Sequence, residues 1–180
     1  MESILARIRR TSELGILGEA LAAEALYERG FDEVRNLNAA HTNHPFADLF
    51  ARKGERVYFV GVKTRNEERD VGGLNDAYNC VLVKEAANRR LKAQGKTPEE
   101  ITSIALEQVH RLAAEFNAIA AWITVPVRAD QRLYAAFFGL LSDLGNRRSI
   151  PMTARALPGY ECLVDWRQDS RITPELSNRR

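Results

Sequence analysis

The sequence has few cysteines, no long apolar run and little net charge. Cys80 and Cys162 are its two cysteines in 180 residues, and neither belongs to a CxxC or Cys/His pattern, which argues against a disulfide framework and a structural zinc site. No apolar run reaches the roughly 18 residues of a membrane span, and the N-terminal MESILARIRR lacks the apolar segment of a secretory signal. The sequence therefore predicts a cytoplasmic protein without a membrane partner.

What the sequence does contain is a balanced set of charges whose basic members are clustered. The net charge of +2 neither requires nor excludes a nucleic-acid partner. The clusters are Arg7, Arg9 and Arg10; Lys84, Arg89, Arg90 and Lys92; Arg147 and Arg148; and Arg179 and Arg180. Each of them is interpreted either as solvated surface or as a contact for phosphate groups.

Hydrophobic periodicity and turn residues predict a single α/β domain over residues 1–180. The predicted helices cover 12–29, 75–94, 98–116 and 130–144. The predicted strands cover 31–37, 46–52, 56–63, 118–127, 149–156 and 161–167. The second of these helices lies in a predicted insertion, 64–95, and the polar residues 168–180 are predicted to form a flexible tail.

Three charged residues stand on segments that are otherwise apolar. Glu19 falls within the apolar face of the first predicted helix, and Asp48 lies inside the strand sequence FADLF. Lys63 ends the apolar strand FVGVK. Two carboxylates can hold a hard cation such as Mg²⁺, and a lysine beside them can stabilise charge that develops on phosphorus.

The arrangement resembles the PD-(D/E)xK nuclease superfamily over about residues 12–64. The matching pieces are GEALAAEALYERGF with Glu19, PFADLF with Asp48, and GVK with Lys63. The resemblance implies a restriction endonuclease-like fold, which is a central mixed sheet flanked by helices, here with a helical insertion. It also implies that Glu19, Asp48 and the Val62 carbonyl bind Mg²⁺ and that Glu19, Asp48 and Lys63 are catalytic.

Gly61 departs from this pattern, because the motif requires an acid two positions before its lysine. Three explanations stay open. Water fills the space beside the glycine and the cation is held more weakly; an acid from the neighbouring connection replaces the missing one; or the domain has kept its fold and lost its activity. The candidate replacements are Glu67, Glu68 and Asp76. Gly61→Glu should strengthen cation binding, because it restores a charged oxygen ligand.

Two functions from different classes follow from these observations. The first is a nuclease-like protein that binds nucleic acid, with weak or absent Mg²⁺-dependent phosphodiesterase activity. Its phosphate contacts are predicted to be Lys84, Arg89, Arg90, Arg147 and Arg148. The alternative is a non-catalytic interaction protein that keeps the nuclease fold and forms a homodimer through the helices within 75–116.

Overall fold

The computed structural model describes residues 4–39, 47–67, 77–79, 85–128, 133–145, 147, 149–152 and 159–165. Within these residues the helices are α1 (Ile4–Glu28), α2 (Glu85–Ala93) and α3 (Pro98–Glu115). The strands are β1 (Glu33–Asn36), β2 (Leu49–Lys53), β3 (Arg56–Asn66), β4 (Ala77–Asn79), β5 (Ile119–Arg128), β6 (Leu133–Leu140), β7 (Ser149–Pro151) and β8 (Glu161–Asp165). None of the described helices is long and apolar enough to cross a membrane.

Six of these strands form one mixed sheet in the order β1-β2-β3-β5-β6-β8. The β3–β5 pair is parallel, and the other pairs of this sheet are antiparallel. Strands β4 and β7 pair separately as a two-stranded antiparallel sheet. The predicted mixed sheet flanked by helices is therefore confirmed.

Helix α1 covers one face of the six-stranded sheet. Ala22, Ala25 and Leu26 are fully buried and pack in one core with Val60 of β3 and Ile123 of β5. The helix lies close to β3 because Gly18 has no side chain: a Cβ there would overlap the hydroxyl of Thr64. Gly18 thus sets the depth at which the next residue, Glu19, enters the molecule.

Helix α3 covers the opposite face. Thr97 caps its N-terminus and forms a capping box with Glu100. Its residues Val109 and Ala113 are buried in a second core, which contains Trp122 of β5. Successive residues of β3 contribute to opposite cores, as the two-residue period of a strand requires.

The predicted helix over 130–144 is wrong. The chain forms strand β6 there, antiparallel to β5, and then a short 3-10 turn at Leu141–Leu144. Both faces of β6 are covered, with Ala136 in the core under α1 and Phe137 in the core under α3. An apolar run that is buried on both faces has no two-residue alternation, so its pattern does not distinguish a strand from a helix.

Several other boundaries differ from the expectation. The predicted helix over 75–94 is wrong at 77–79, where the structure has strand β4, and the rest of the described part contains α2. Strand β3 continues three residues past Lys63, so the connection after it begins later than residue 64. The predicted tail, 168–180, lies outside the described residues.

Candidate functional site

Glu19 and Asp48 come together at the end of the sheet where β2 starts. Glu19 projects from α1, and Asp48 immediately precedes β2. The backbone of Asp48 is already part of the sheet, because its N–H donates to the Val60 carbonyl (2.9 Å) and its carbonyl accepts from the Leu37 N–H (2.9 Å). The backbone bonds fix Asp48 relative to strand β3 and to the turn that follows β1.

A single amide group connects the two carboxylates. Asn38 Nδ2 donates to Glu19 Oε1 at 3.2 Å and to Asp48 Oδ1 at 3.2 Å. The two oxygens are therefore separated by less than twice that distance. Asn36 Nδ2 donates to the other oxygen of Glu19 at 2.7 Å. Both carboxylates are half-buried, so these donors compensate in part for the loss of water.

The two carboxylates also interact electrostatically. Burial is the main reason why the pKa of Glu19 is raised above its ordinary value of 4.5, and the negative charge of Asp48 raises it further. The hydrogen bonds from Asn36 and Asn38 act in the opposite direction, because they favour the ionised form. A like charge so close to a half-buried carboxylate is an arrangement that a bound cation would relieve.

The second oxygen of Asp48 is held by β3. The Val62 N–H donates to Asp48 Oδ2 at 2.7 Å, while the Val62 side chain is buried in the core under α1. This bond orients the carboxylate with Oδ1 toward Glu19 and Asn38. The role of the Val62 carbonyl as a cation ligand stays a prediction.

The space beside Gly61 is filled, contrary to the expectation of an open gap. Gly61 lies next to Trp122 in the parallel register of β3 and β5. A Cβ at position 61 would be 2.5 Å from Cζ3 and 2.7 Å from Cε3 of the indole. Trp122 is only 2% exposed. An aromatic ring thus occupies the position into which the motif acid would project.

Lys63 lies on the same face of β3 as Gly61. Its Nζ is 5.3 Å from the centroid of a Trp122 ring, within the range of a cation–π interaction. The strand therefore carries the motif lysine, and Trp122 contacts both ends of the GVK tripeptide. The glycine is evident from the sequence, but the distant residue that fills the space beside it is not.

No nearby described acid replaces the one missing at position 61. Glu67 forms an ion pair with Arg128, with 2.6 Å between Oε2 and Nε, and Glu68 and Asp76 lie outside the described residues. Among the residues that the structure describes, no group of three or more His, Cys, Asp or Glu side chains could hold a metal ion. Within that part of the chain, the carboxylates available to a cation at this site are Glu19 and Asp48.

Three of the five predicted phosphate contacts lie within the described residues. Arg89 and Arg90 are exposed on α2, which contacts α3. Arg147 is exposed after the 3-10 turn. Lys84 and Arg148 lie outside the described residues. The role of all five in binding nucleic acid stays a prediction.

Sequence reasoning missed the two asparagines of the site. Neither residue is a candidate in the sequence analysis, whereas in the structure Asn36 ends β1 and Asn38 lies in a 3-10 turn, Leu37–Ala39. A usable signal is present, because NLN begins at the end of a short strand and Asn38 precedes Asp48 by ten residues. Alternate asparagines can direct two amides to one side of a turn.

Comparisons with known proteins support the fold. No protein-family model matches the sequence, and no curated protein matches it. The structure is similar to the 1.6 Å structure of Hjc, a Holliday junction resolvase from the archaeal hyperthermophile Archaeoglobus fulgidus, with a TM-score of 0.51 and 17% identity. The match covers 83% of this chain and 96% of that chain. The similarity shows that this chain has the restriction endonuclease-like fold.

Proposed function

We propose that this protein is a nuclease-like domain that binds nucleic acid and holds a divalent cation between Glu19 and Asp48. The observation that carries the proposal is the convergence of both carboxylates on one amide nitrogen, Nδ2 of Asn38, at 3.2 Å each. Two acids that serve only as surface charges would have no reason to approach each other.

The donor set fits a hard cation. Mg²⁺ and Mn²⁺ bind through oxygen ligands and are usually held by one or two carboxylates and several waters. Glu19 and Asp48 would supply the carboxylates, and the Val62 carbonyl is a further candidate. When bound, such a cation supplies an acidified water and neutralises charge on a phosphate.

Lys63 would bind the phosphate group. Its ammonium is strongly attracted to phosphate oxygens, and its contact with the Trp122 ring limits the positions that this long side chain can take. Lys63 would thus stabilise charge that develops on the phosphorus oxygens during hydrolysis. Exposed Arg89, Arg90 and Arg147, with Lys84 and Arg148, would hold the backbone of the nucleic acid.

Activity should be weak or absent. Trp122 takes the place of the motif acid, so the cation lacks one charged ligand and should be bound weakly. Slow hydrolysis with Mn²⁺ and slower hydrolysis with Mg²⁺ would follow, because Mn²⁺ has the higher affinity for mixed sites.

The alternative function is a non-catalytic homodimer that keeps the nuclease fold. The observation in its favour is Phe116 at the end of α3, whose large apolar side chain is 60% exposed. Sedimentation of the protein and of Phe116→Ser would test this alternative. A dimer that the substitution dissociates, in a protein without affinity for cations or nucleic acid, would support it.

A calorimetric titration with Mn²⁺ and Mg²⁺ tests the main proposal. Glu19→Gln and Asp48→Asn should each weaken binding by at least about tenfold, because each removes a charged ligand. Glu107→Gln is the matched control, since it makes the same change at an exposed helix position whose partner is Arg111. Equal affinity in the protein and all three variants would contradict the proposed site.

A further inference from the structure

We infer that Asn38 is a third side-chain ligand of this cation site and that its amide oxygen takes the place of the acid missing at position 61. The inference rests on the proposed function, because it concerns the same cation. It assigns the third ligand to a residue outside the GVK tripeptide.

The amide group of Asn38 already contacts both carboxylates. Asn38 Nδ2 lies at hydrogen-bonding distance from an oxygen of each carboxylate, which is where a positive group is most strongly attracted. The nitrogen and oxygen of an amide have nearly the same size and geometry. A half-turn of this group exchanges them, and it would direct Oδ1 toward the region between Glu19 and Asp48.

The backbone of Asn38 is held in place by hydrogen bonds that do not involve its side-chain amide. The Asn38 N–H donates to Asn36 Oδ1 at 2.8 Å, and the neighbouring Leu37 N–H donates to the Asp48 carbonyl. The turn that carries Asn38 is therefore bonded to the residue whose carboxylate it contacts. Exchange of the amide ends requires a side-chain rotation and no movement of this backbone.

Position 61 cannot supply a third side-chain ligand. Trp122 is buried against Gly61, so a ligand cannot come from that position. Within the described part of the chain, the Asn38 side chain already donates to both carboxylates. Its neutral oxygen would complete a set of three side-chain ligands, with less charge than three acids would give.

The rival explanation is that Asn38 acts only as a clamp, a donor that reduces repulsion between the carboxylates. The two explanations predict opposite changes in cation affinity. If Asn38 is a ligand, its removal weakens binding. If it is a clamp, its amide nitrogen competes with the cation for the same oxygens, and its removal strengthens binding.

The experiment is a calorimetric Mn²⁺ titration of the protein, Asn38→Ala and Asn38→Asp, with folding checked by circular dichroism. Asn38→Ala should bind Mn²⁺ about tenfold more weakly or worse, and Asn38→Asp, which keeps an oxygen there, should recover the affinity. Glu107→Gln is the control, since Glu107 lies on α3 outside this site and pairs with Arg111. If Asn38→Ala fails to fold, Asn38→Ser gives the same comparison.

The outcomes separate this inference from the proposed function. Unchanged or stronger binding by Asn38→Ala or Asn38→Ser, with binding abolished in Asp48→Asn, would overturn the ligand role of Asn38 and keep the cation site. No binding by the unsubstituted protein, or no effect of Asp48→Asn, would overturn the proposed function itself and the inference with it.

Discussion

Gly61→Ala should destabilise this protein, although the same change at most positions in a strand is favourable. The added methyl group would be 2.5 Å from Cζ3, 2.7 Å from Cε3 and 3.1 Å from Cη2 of Trp122. The ring is rigid and only 2% exposed, and Ala120 and Phe137 belong to the same core. Either the indole or strand β3 must therefore move.

The expected cost is that of overpacking a core. Such changes destabilise by about 1–3 kcal/mol, which exceeds the gain of about 0.5–1 kcal/mol that alanine brings over glycine inside a strand. In a chain of this length, each kcal/mol lowers the melting temperature by about 2–4 °C. The free energy of unfolding of Gly61→Ala should therefore fall measurably.

Urea denaturation followed by circular dichroism measures this difference, and Gly15→Ala is the control. Gly15 is inside α1, and a Cβ there would meet nothing within 4 Å. Gly15→Ala should therefore stabilise the protein by up to about 1 kcal/mol. The same chemical change should thus have opposite signs at the two glycines.

Trp122→Ala tests the cause of the effect. Trp122→Ala should lower the free energy of unfolding by about 3–5 kcal/mol. In the Trp122→Ala protein, the further change Gly61→Ala should have almost no cost in stability, because the indole ring is absent. Gly61→Glu alone should lower the free energy of unfolding without improving cation binding, because Trp122 fills the space that the new side chain needs. When Trp122→Ala has removed the ring, adding Gly61→Glu should tighten Mn²⁺ binding relative to Trp122→Ala alone. A neutral Gly61→Ala, or equal costs with and without Trp122, would refute the argument.

Three further results are expected. The raised pKa of Glu19 means that protonated Glu19 contributes to folding stability, a contribution that is complete below the ordinary pKa of 4.5 and is lost as pH rises through the raised pKa. Cation binding needs the ionised carboxylate, so the Mn²⁺ affinity measured by calorimetry should fall on acidification. Asp48→Asn should lower the Glu19 pKa measured by carboxyl NMR, because it removes a neighbouring negative charge. A mobility-shift titration should show non-specific nucleic-acid binding that weakens with salt and with the double variant Arg89→Ala and Arg90→Ala; no complex at low salt would argue against it. Any slow Mn²⁺-dependent cleavage should be abolished by Asp48→Ala or Lys63→Ala in folded protein, whereas robust Mg²⁺-dependent cleavage that survives Lys63→Ala would place the active site elsewhere.

The parts of the fold that the sequence predicted are those with a local cause. Thr97 and Glu100 form a capping box because both partners lie within one turn of helix. Gly54 forms the hairpin turn with a positive φ of 58°, a conformation that glycine adopts easily. The β-branched and aromatic residues of β5 predicted a buried strand, which the structure confirms. The prediction of a helix at β6 is wrong because pairing with β5 and β8, and not the local sequence, decides the conformation of this segment.

The sequence by itself determined that Glu19, Asp48 and Lys63 stand where charge is unusual, because each interrupts an apolar pattern within a few residues. Only the tertiary structure decided what surrounds them. Trp122 reaches Gly61 through the parallel pairing of β3 and β5, and Asn38 meets both carboxylates because α1, the turn after β1 and the start of β2 converge. Neither contact has a local signature, since sheet register and helix packing bring together residues that are far apart in the chain.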